Sequence, residues 1–100
     1  MSSVRVILPY HLRNLAQVGQ EITVQVDGAV TIGSILDAIE LAYPVIRGTI
    51  REHGTLKRRP FLRFFACAED VSMEGYDFVL PSEIGDGKEP FMVIGAIAGG

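Results

Sequence analysis

In two early stretches of the chain, apolar residues recur at every second position. Val4, Val6 and Leu8 alternate with Arg5 and Ile7 until Pro9 removes a backbone donor, so residues 3 to 9 read as a strand. Ile22, Val24 and Val26 repeat the pattern against Glu21, Thr23 and Gln25 and stop at Asp27-Gly28, a turn signal. Between these strands, Tyr10 to Gln20 carries Leu12, Leu15 and Val18 and ends its pattern at Gly19, which reads as a loop packed over the sheet edge. The period then lengthens. Thr31 caps a predicted helix whose Ile32, Ile35, Leu36 and Ile39 fall at i, i+3, i+4 and i+7, with Asp37 and Glu40 left for solvent. Pro44 breaks or bends it, and Val45 to His53 reads as a second short helical piece stopped by Gly54.

After Pro60, a third strand is predicted over Phe61 to Ala66, with Leu62, Phe64 and Ala66 on one face and Phe61, Arg63 and Phe65 on the other. Glu69-Asp70 reads as a turn, Val71 and Phe78-Val79-Leu80 as weak strands, and Gly85-Asp86-Gly87 as a turn before a final apolar run from Phe91 to Ala98. Two strands, a crossing helix and further strands imply an α+β domain whose sheet has one face covered by that helix. The β-grasp (ubiquitin-like) arrangement satisfies this order: a mixed sheet of four to five strands on one main helix. It places the first and last strands together in the centre, where residues 4 to 8 and 91 to 94 are the most apolar strand candidates.

Composition narrows the function classes. One hundred residues, 48% hydrophobic and 21% charged, fit a single domain over 1-100 with a flexible tail from about residue 95. No apolar stretch approaches the roughly 20 residues that span a bilayer, and no secretory pattern opens the chain, so a cytoplasmic protein is expected with no membrane partner. A net charge of -3 argues against general nucleic-acid binding, which needs a basic face. Cys67 is the single cysteine, so an internal disulfide, a cysteine zinc site and an iron-sulfur cluster are excluded. As a thiol nucleophile it would need His11 or His53 as base; no local motif orients either, and a small buried apolar role fits it better. Glu69-Asp70 offers too few oxygens for a cation, so no metal is expected. Arg51, His53, Lys57, Arg58, Arg59 and Arg63 read as a solvated basic loop, or else as a surface that docks an acidic partner, with Arg58 and Arg59 foremost. Ile7, Phe65 and Phe91 are candidates for an apolar docking patch on the open sheet face, or for core.

The opening strand Val-Arg-Val-Ile-Leu-Pro, the helix Thr31 to Ile39 ending at Tyr43-Pro44, the strand and turn Arg63 to Val71, and the tail Phe91 to Gly100 occur in an order that resembles the ThiS/MoaD sulfur-carrier family. That family is ubiquitin-like and includes the small subunit of molybdopterin synthase. Departures are Gly95, where the family often has proline, and Cys67-Ala68, where it often has Asn or Gly. The stretch from Arg47 to Arg63 is longer than in thiamin-type carriers and looks more like the carrier of the cysteine-forming route or the molybdopterin subunit.

The resemblance implies a carrier, not an enzyme in itself and with no catalytic residue of its own. Its Gly100 carboxylate would be adenylated by a ubiquitin-activating-type adenylyltransferase using ATP and magnesium, then converted to a thiocarboxylate. The sulfur would pass to an acceptor on a synthase, of the molybdopterin synthase large-subunit or cysteine synthase type. No cofactor would be held by the chain. Two glycines without side chains suit a narrow active site, and Ile97 to Gly100, fully extended, reach roughly 13 Å. Gly100 would carry the sulfur, Gly99 would allow close approach, and Ala96, Ile97 and Ala98 would line the partner's channel. The rival readings are a protein modifier joined through Gly100 to lysines, and a passive interaction domain for which Gly99 and Gly100 are dispensable.

Overall fold

Strict alternation makes the first hairpin, and burial follows it residue by residue. A computed structural model of the chain describes residues 1–95. β1 (Ser2–Ile7) pairs antiparallel with β2 (Glu21–Val26), from Ser2 opposite Val26 to Ile7 opposite Glu21. Val4, Val6, Ile22, Val24 and Val26 all point into the core, because a period of two keeps them on one face.

The segment between these strands is not a loop. Tyr10–Ala16 forms α1, which starts after Pro9 and ends at Gln17, whose φ of 56° is left-handed. Proline precedes the helix without loss because the first N–H groups of a helix have no intrahelical partner. Leu12 is buried but Leu15 is 45% exposed, so the segment has no continuous apolar stripe to betray a helix.

α2 (Ile32–Ala42) is the main helix. Thr31 Oγ1 accepts from the Ser34 N–H at 3.0 Å and Ser34 Oγ accepts from the Thr31 N–H at 2.8 Å, a capping box with serine in the reciprocal place. Ile32, Ile35, Leu36 and Ile39 are fully buried against the sheet. Gly33 donates its N–H to the Tyr76 carbonyl at 2.8 Å, and a Cβ there would stand 3.0 Å from that oxygen. The glycine therefore lets the segment around Tyr76 lie directly on the helix start.

The helical piece expected over Val45 to His53 is only a 3₁₀ turn, Pro44–Ile46. Gly48 then takes a φ of 84°, which ends regular winding, while Ile46 and Ile50 anchor the irregular chain in the core. Arg51 and Arg58 close this excursion with an isolated bridge.

β3 (Leu62–Ala66) turns back through Cys67-Ala68 into the two-residue β4, Glu69–Asp70. Glu69-Asp70 is thus strand rather than turn. The turn sits one step earlier, with φ of 50° at Cys67 and 67° at Ala68, the left-handed pair that matches the twist of a tight hairpin. Of the weak strand around Phe78, only a bridge between Thr31 and Val79 forms. The turn expected at Gly85 to Gly87 is preceded by a short helix, α3 (Ser82–Gly85), that buries Ile84.

β5 (Phe91–Gly95) closes the sheet. The strand order is β2-β1-β5-β3-β4, with β5 parallel to β1 and antiparallel to β3, so the first and last strands are neighbours as expected. The core lies between this mixed five-stranded sheet and α2, where Phe64 and Phe91 meet with ring centroids 5.6 Å apart. Among the described residues every buried side-chain nitrogen and oxygen has a hydrogen-bond partner, and no helix is long and apolar enough to cross a membrane.

Candidate interaction face and tail root

Alternation that buries one set of side chains must turn the other set outward. On the sheet face away from α2, Ile7, Met92, Ile94 and Phe65 come together, since Met92 stands opposite both Ile7 and Phe65 while Ile94 stands opposite Arg63. Ile94 is 38% exposed and the other three are half-buried. Charged pairs rim this patch. Arg5 grips Glu21 with Nε to Oε2 at 3.1 Å and Nη2 to Oε1 at 2.9 Å, and Arg63 lies 3.3 Å from Asp70. An apolar centre inside a polar rim is the anatomy of a protein-binding surface.

Of the patch residues named from sequence, Ile7 and Phe65 are here and Phe91 is not. Phe91 is fully buried, because pairing with Val6 and Ala66 puts its parity on the core face. Met92 and Ile94 take the place it was given. Their signal was in the sequence: in a strand starting at Phe91, positions 92 and 94 share the opposite face.

Within the basic segment, His53, Lys57, Arg59 and Arg63 are exposed, Arg58 is half-buried and Arg51 leaves solvent. Arg51 is buried, with its guanidinium on Glu40 at 2.9 and 3.0 Å, on Asp37, and 5.6 Å above the Tyr76 ring. Its pKa is driven further up, chiefly by the hydrogen bond to Glu40. Glu40, expected in solvent, is only 15% exposed. Arg58 donates to the Leu62 carbonyl, and Arg59 donates Nε and Nη2 to the Gly48 carbonyl at 2.9 and 2.6 Å. Arg58 and Arg59 thus tie an irregular segment to its own backbone while Arg59 stays 44% exposed.

Cys67 is half-exposed at the hairpin tip, and burial together with Glu83, Glu89, Glu69 and Asp86 pushes its thiol pKa up. That is the opposite of activation. Asp70, held by the Ser72 hydroxyl and N–H and then by Arg63, has its carboxyl pKa lowered. No group of three or more metal-ligating side chains occurs among the described residues.

Gly95 ends β5 beside the open face, opposite Leu62. A Cβ there would lie 3.3 Å from Pro9 Cβ and 3.4 Å from His11 Cε1, so the start of α1 closes tightly on the strand end. Between them opens a cleft of about 540 Å³ lined by Tyr10, His11, Arg13, Met92, Ile94 and Gly95, among others. Ala96, Ile97, Ala98, Gly99 and Gly100, the residues assigned from sequence to the tail, lie outside the described residues.

A five-stranded mixed sheet with parallel first and last strands in its middle and one helix across it is the ubiquitin-like β-grasp fold, the class that the sequence resemblance implies. Solved structures with this architecture match nearly the whole chain. The small archaeal modifier protein 1 (SAMP1) of Haloferax volcanii aligns with a TM-score of 0.74 and 19% identity over 98% of this chain and 99% of that one. SAMP1 of Methanosarcina acetivorans gives 0.73 and 21% over 100% and 98%. A chain of the Amycolatopsis orientalis BexX/CysO complex gives 0.72 and 22% over 97% and 99%. No protein-family pattern and no curated protein matches the sequence.

Proposed function

We propose that the chain is a cytoplasmic sulfur carrier whose working group is the Gly100 carboxylate and whose folded part is a handle for partner enzymes. The observation that carries this reading is the root of the tail. The central strand β5 ends at Gly95 beside an apolar, charge-rimmed face, and the sequence runs on through small and apolar residues to Gly99-Gly100. A partner seated on that face has the tail within reach.

A carboxylate repels nucleophiles and has no good leaving group, so it must be activated. The Gly100 carboxylate attacks the α-phosphorus of ATP on a ubiquitin-activating-type adenylyltransferase, releasing pyrophosphate and leaving an acyl-adenylate; the partner's magnesium offsets phosphate charge. Hydrosulfide, or a partner's persulfide with a reductant thiol, then adds to the acyl carbon and expels AMP, giving the thiocarboxylate. A synthase of the molybdopterin or cysteine-forming type accepts the sulfur. Acid-base and metal chemistry stay with these partners.

Intact-mass measurement of the chain after incubation with ATP, the adenylating enzyme of its own cell and sulfide tests this. A gain of about 16 Da, the exchange of one oxygen for sulfur, confined to a C-terminal peptide is expected from this acyl chemistry. Adenylate without thiocarboxylate under those conditions refutes it. Likeness to two proteins described as small archaeal modifiers favours a second reading, in which Gly100 joins target lysines through an amide. Ladders that resist thiols and carry a Gly-Gly remnant on lysine would select it.

A further inference from the structure

On the carrier reading, charge is unevenly laid along the direction in which the tail leaves the domain. Six of the nine lysines and arginines fall within residues 47–63, together with one carboxylate, Glu52. The other eleven carboxylates lie outside that segment. Arg58 donates to the carbonyl of Leu62, the residue opposite Gly95, so these cations stand at the root of the tail. Among the described residues Lys57 and Arg58 form no ion pair, although Glu74 borders the same groove, and Arg59 reaches Glu52 only at 3.9 Å. At the far end of β3, roughly 13 Å away at ordinary strand spacing, the Cys67 tip lies in the field of Glu83, Glu89, Glu69 and Asp86. The sheet thus has a basic end that carries the tail and an acidic end that does not.

A charged surface turns such a dipole before contact is made. An acidic one draws the tail end in and pushes the hairpin tip away, which raises the rate of productive encounters. The length of the tail says where that surface lies. Fully extended, residues 96–100 reach roughly 16 Å past Gly95, so with Gly100 at a buried reaction centre the basic end stands at the channel mouth. An adenylating site gathers magnesium and cationic side chains around ATP, and its field opposes a basic plug. A sulfur-accepting site holds no triphosphate. We infer that the basic end docks on an acidic channel mouth of the sulfur-accepting partner, and that the separation of charge along β3 turns the tail toward it.

Stopped-flow association of the full chain, as its Gly100 thiocarboxylate, with the sulfur-accepting synthase of its own cell tests this. The double variant Lys57→Glu, Glu69→Lys keeps the net charge at -3 while weakening both ends. Neither side chain makes a hydrogen bond or ion pair among the described residues, so the fold is left alone. At about 20 mM salt this variant associates about fivefold or more slowly than the original, and at about 500 mM the two rates agree within about twofold. Its KM in ATP–pyrophosphate exchange by the adenylating enzyme stays within about twofold of the original. The control Lys88→Glu, Glu69→Lys exchanges charges within the acidic end, where Lys88 lies 4.0 Å from Asp86, and associates as the original does. Equal rates for the first variant and the original at low salt overturn the inference and leave the carrier reading standing. So does a slowing that salt does not remove, that the control shares, or that falls on pyrophosphate exchange instead. A synthase that takes no sulfur from the original chain at any concentration overturns both.

Discussion

Replacing Arg51 by methionine tests how the irregular segment between α2 and β3 is held. The side chain is 4% exposed and paired in bidentate fashion with Glu40, which is 15% exposed, and with Asp37, which is 74% exposed. Methionine keeps most of the apolar stem but strands the Glu40 carboxylate in a half-dry site. Breaking a fully buried pair costs about 3–5 kcal/mol, and the remaining solvent access of Glu40 lowers that. The Asp37 contact is water-screened and contributes under about 1 kcal/mol, and the Tyr76 ring adds about 0.5–1 kcal/mol. A net loss of about 2–4 kcal/mol follows, which lowers the urea midpoint by about 1–3 M at an ordinary m-value for a small domain. Far-UV circular dichroism in urea reads it. The double variant Arg51→Met, Glu40→Met should recover a large part of the loss, because no charge is then left unpaired. A single-variant loss below about 0.5 kcal/mol, as for an ordinary surface change, would refute the reasoning. So would a double variant whose loss is the sum of the two single losses.

Ala68→Gly should stabilise the chain by about 0.5–1 kcal/mol, since Ala68 holds a left-handed φ of 67° that costs an alanine more than a glycine; the same urea titration measures it. Acid should weaken the fold through Glu21, whose pKa is lowered mainly by its hydrogen bond to Arg5, and Asp70, whose pKa is lowered mainly by Ser72. Because the folded values are depressed, their stabilisation is present above the unfolded value of about 4 and is lost as pH falls through the folded value. A urea midpoint that is flat from neutrality down to about pH 5 and falls below about pH 4 is expected, with Asp70→Asn flattening the fall; an unchanged slope in that variant would remove Asp70 from the account.

The strands and main helix were legible because burial obeys their periods: Val4, Val6, Ile22, Val24, Val26 and the Ile32 to Ile39 stripe all face the core. Helix α1 was not legible, because Leu12 alone is fully buried in it and one residue makes no stripe. The Cys67-Ala68 turn escaped because neither residue is the glycine or asparagine that usually marks a left-handed pair. The tethers of Arg51 and Arg59 were hidden inside an apparently solvated run because their partners are distant in the chain. Arg51 meets carboxylates 11 and 14 positions earlier, and Arg59 meets a carbonyl 11 positions earlier, relations that no local pattern displays. At the candidate face, Ile7 and Phe65 could be named from alternation, whereas the parity of Phe91 depended on which neighbours it paired with.

Parallel pairing of Val6 with Phe91 has a consequence for how the molecule is made. A ribosome delivers the middle of this sheet after its flanks, so a nascent chain holds Val6 and Phe64 on two unsealed edges until Phe91 to Gly95 emerge. Such long-range closure is slow, and an interrupted polypeptide stays open to proteases. Synthesis quality control thus bears on the same stretch of sequence from which the tail departs.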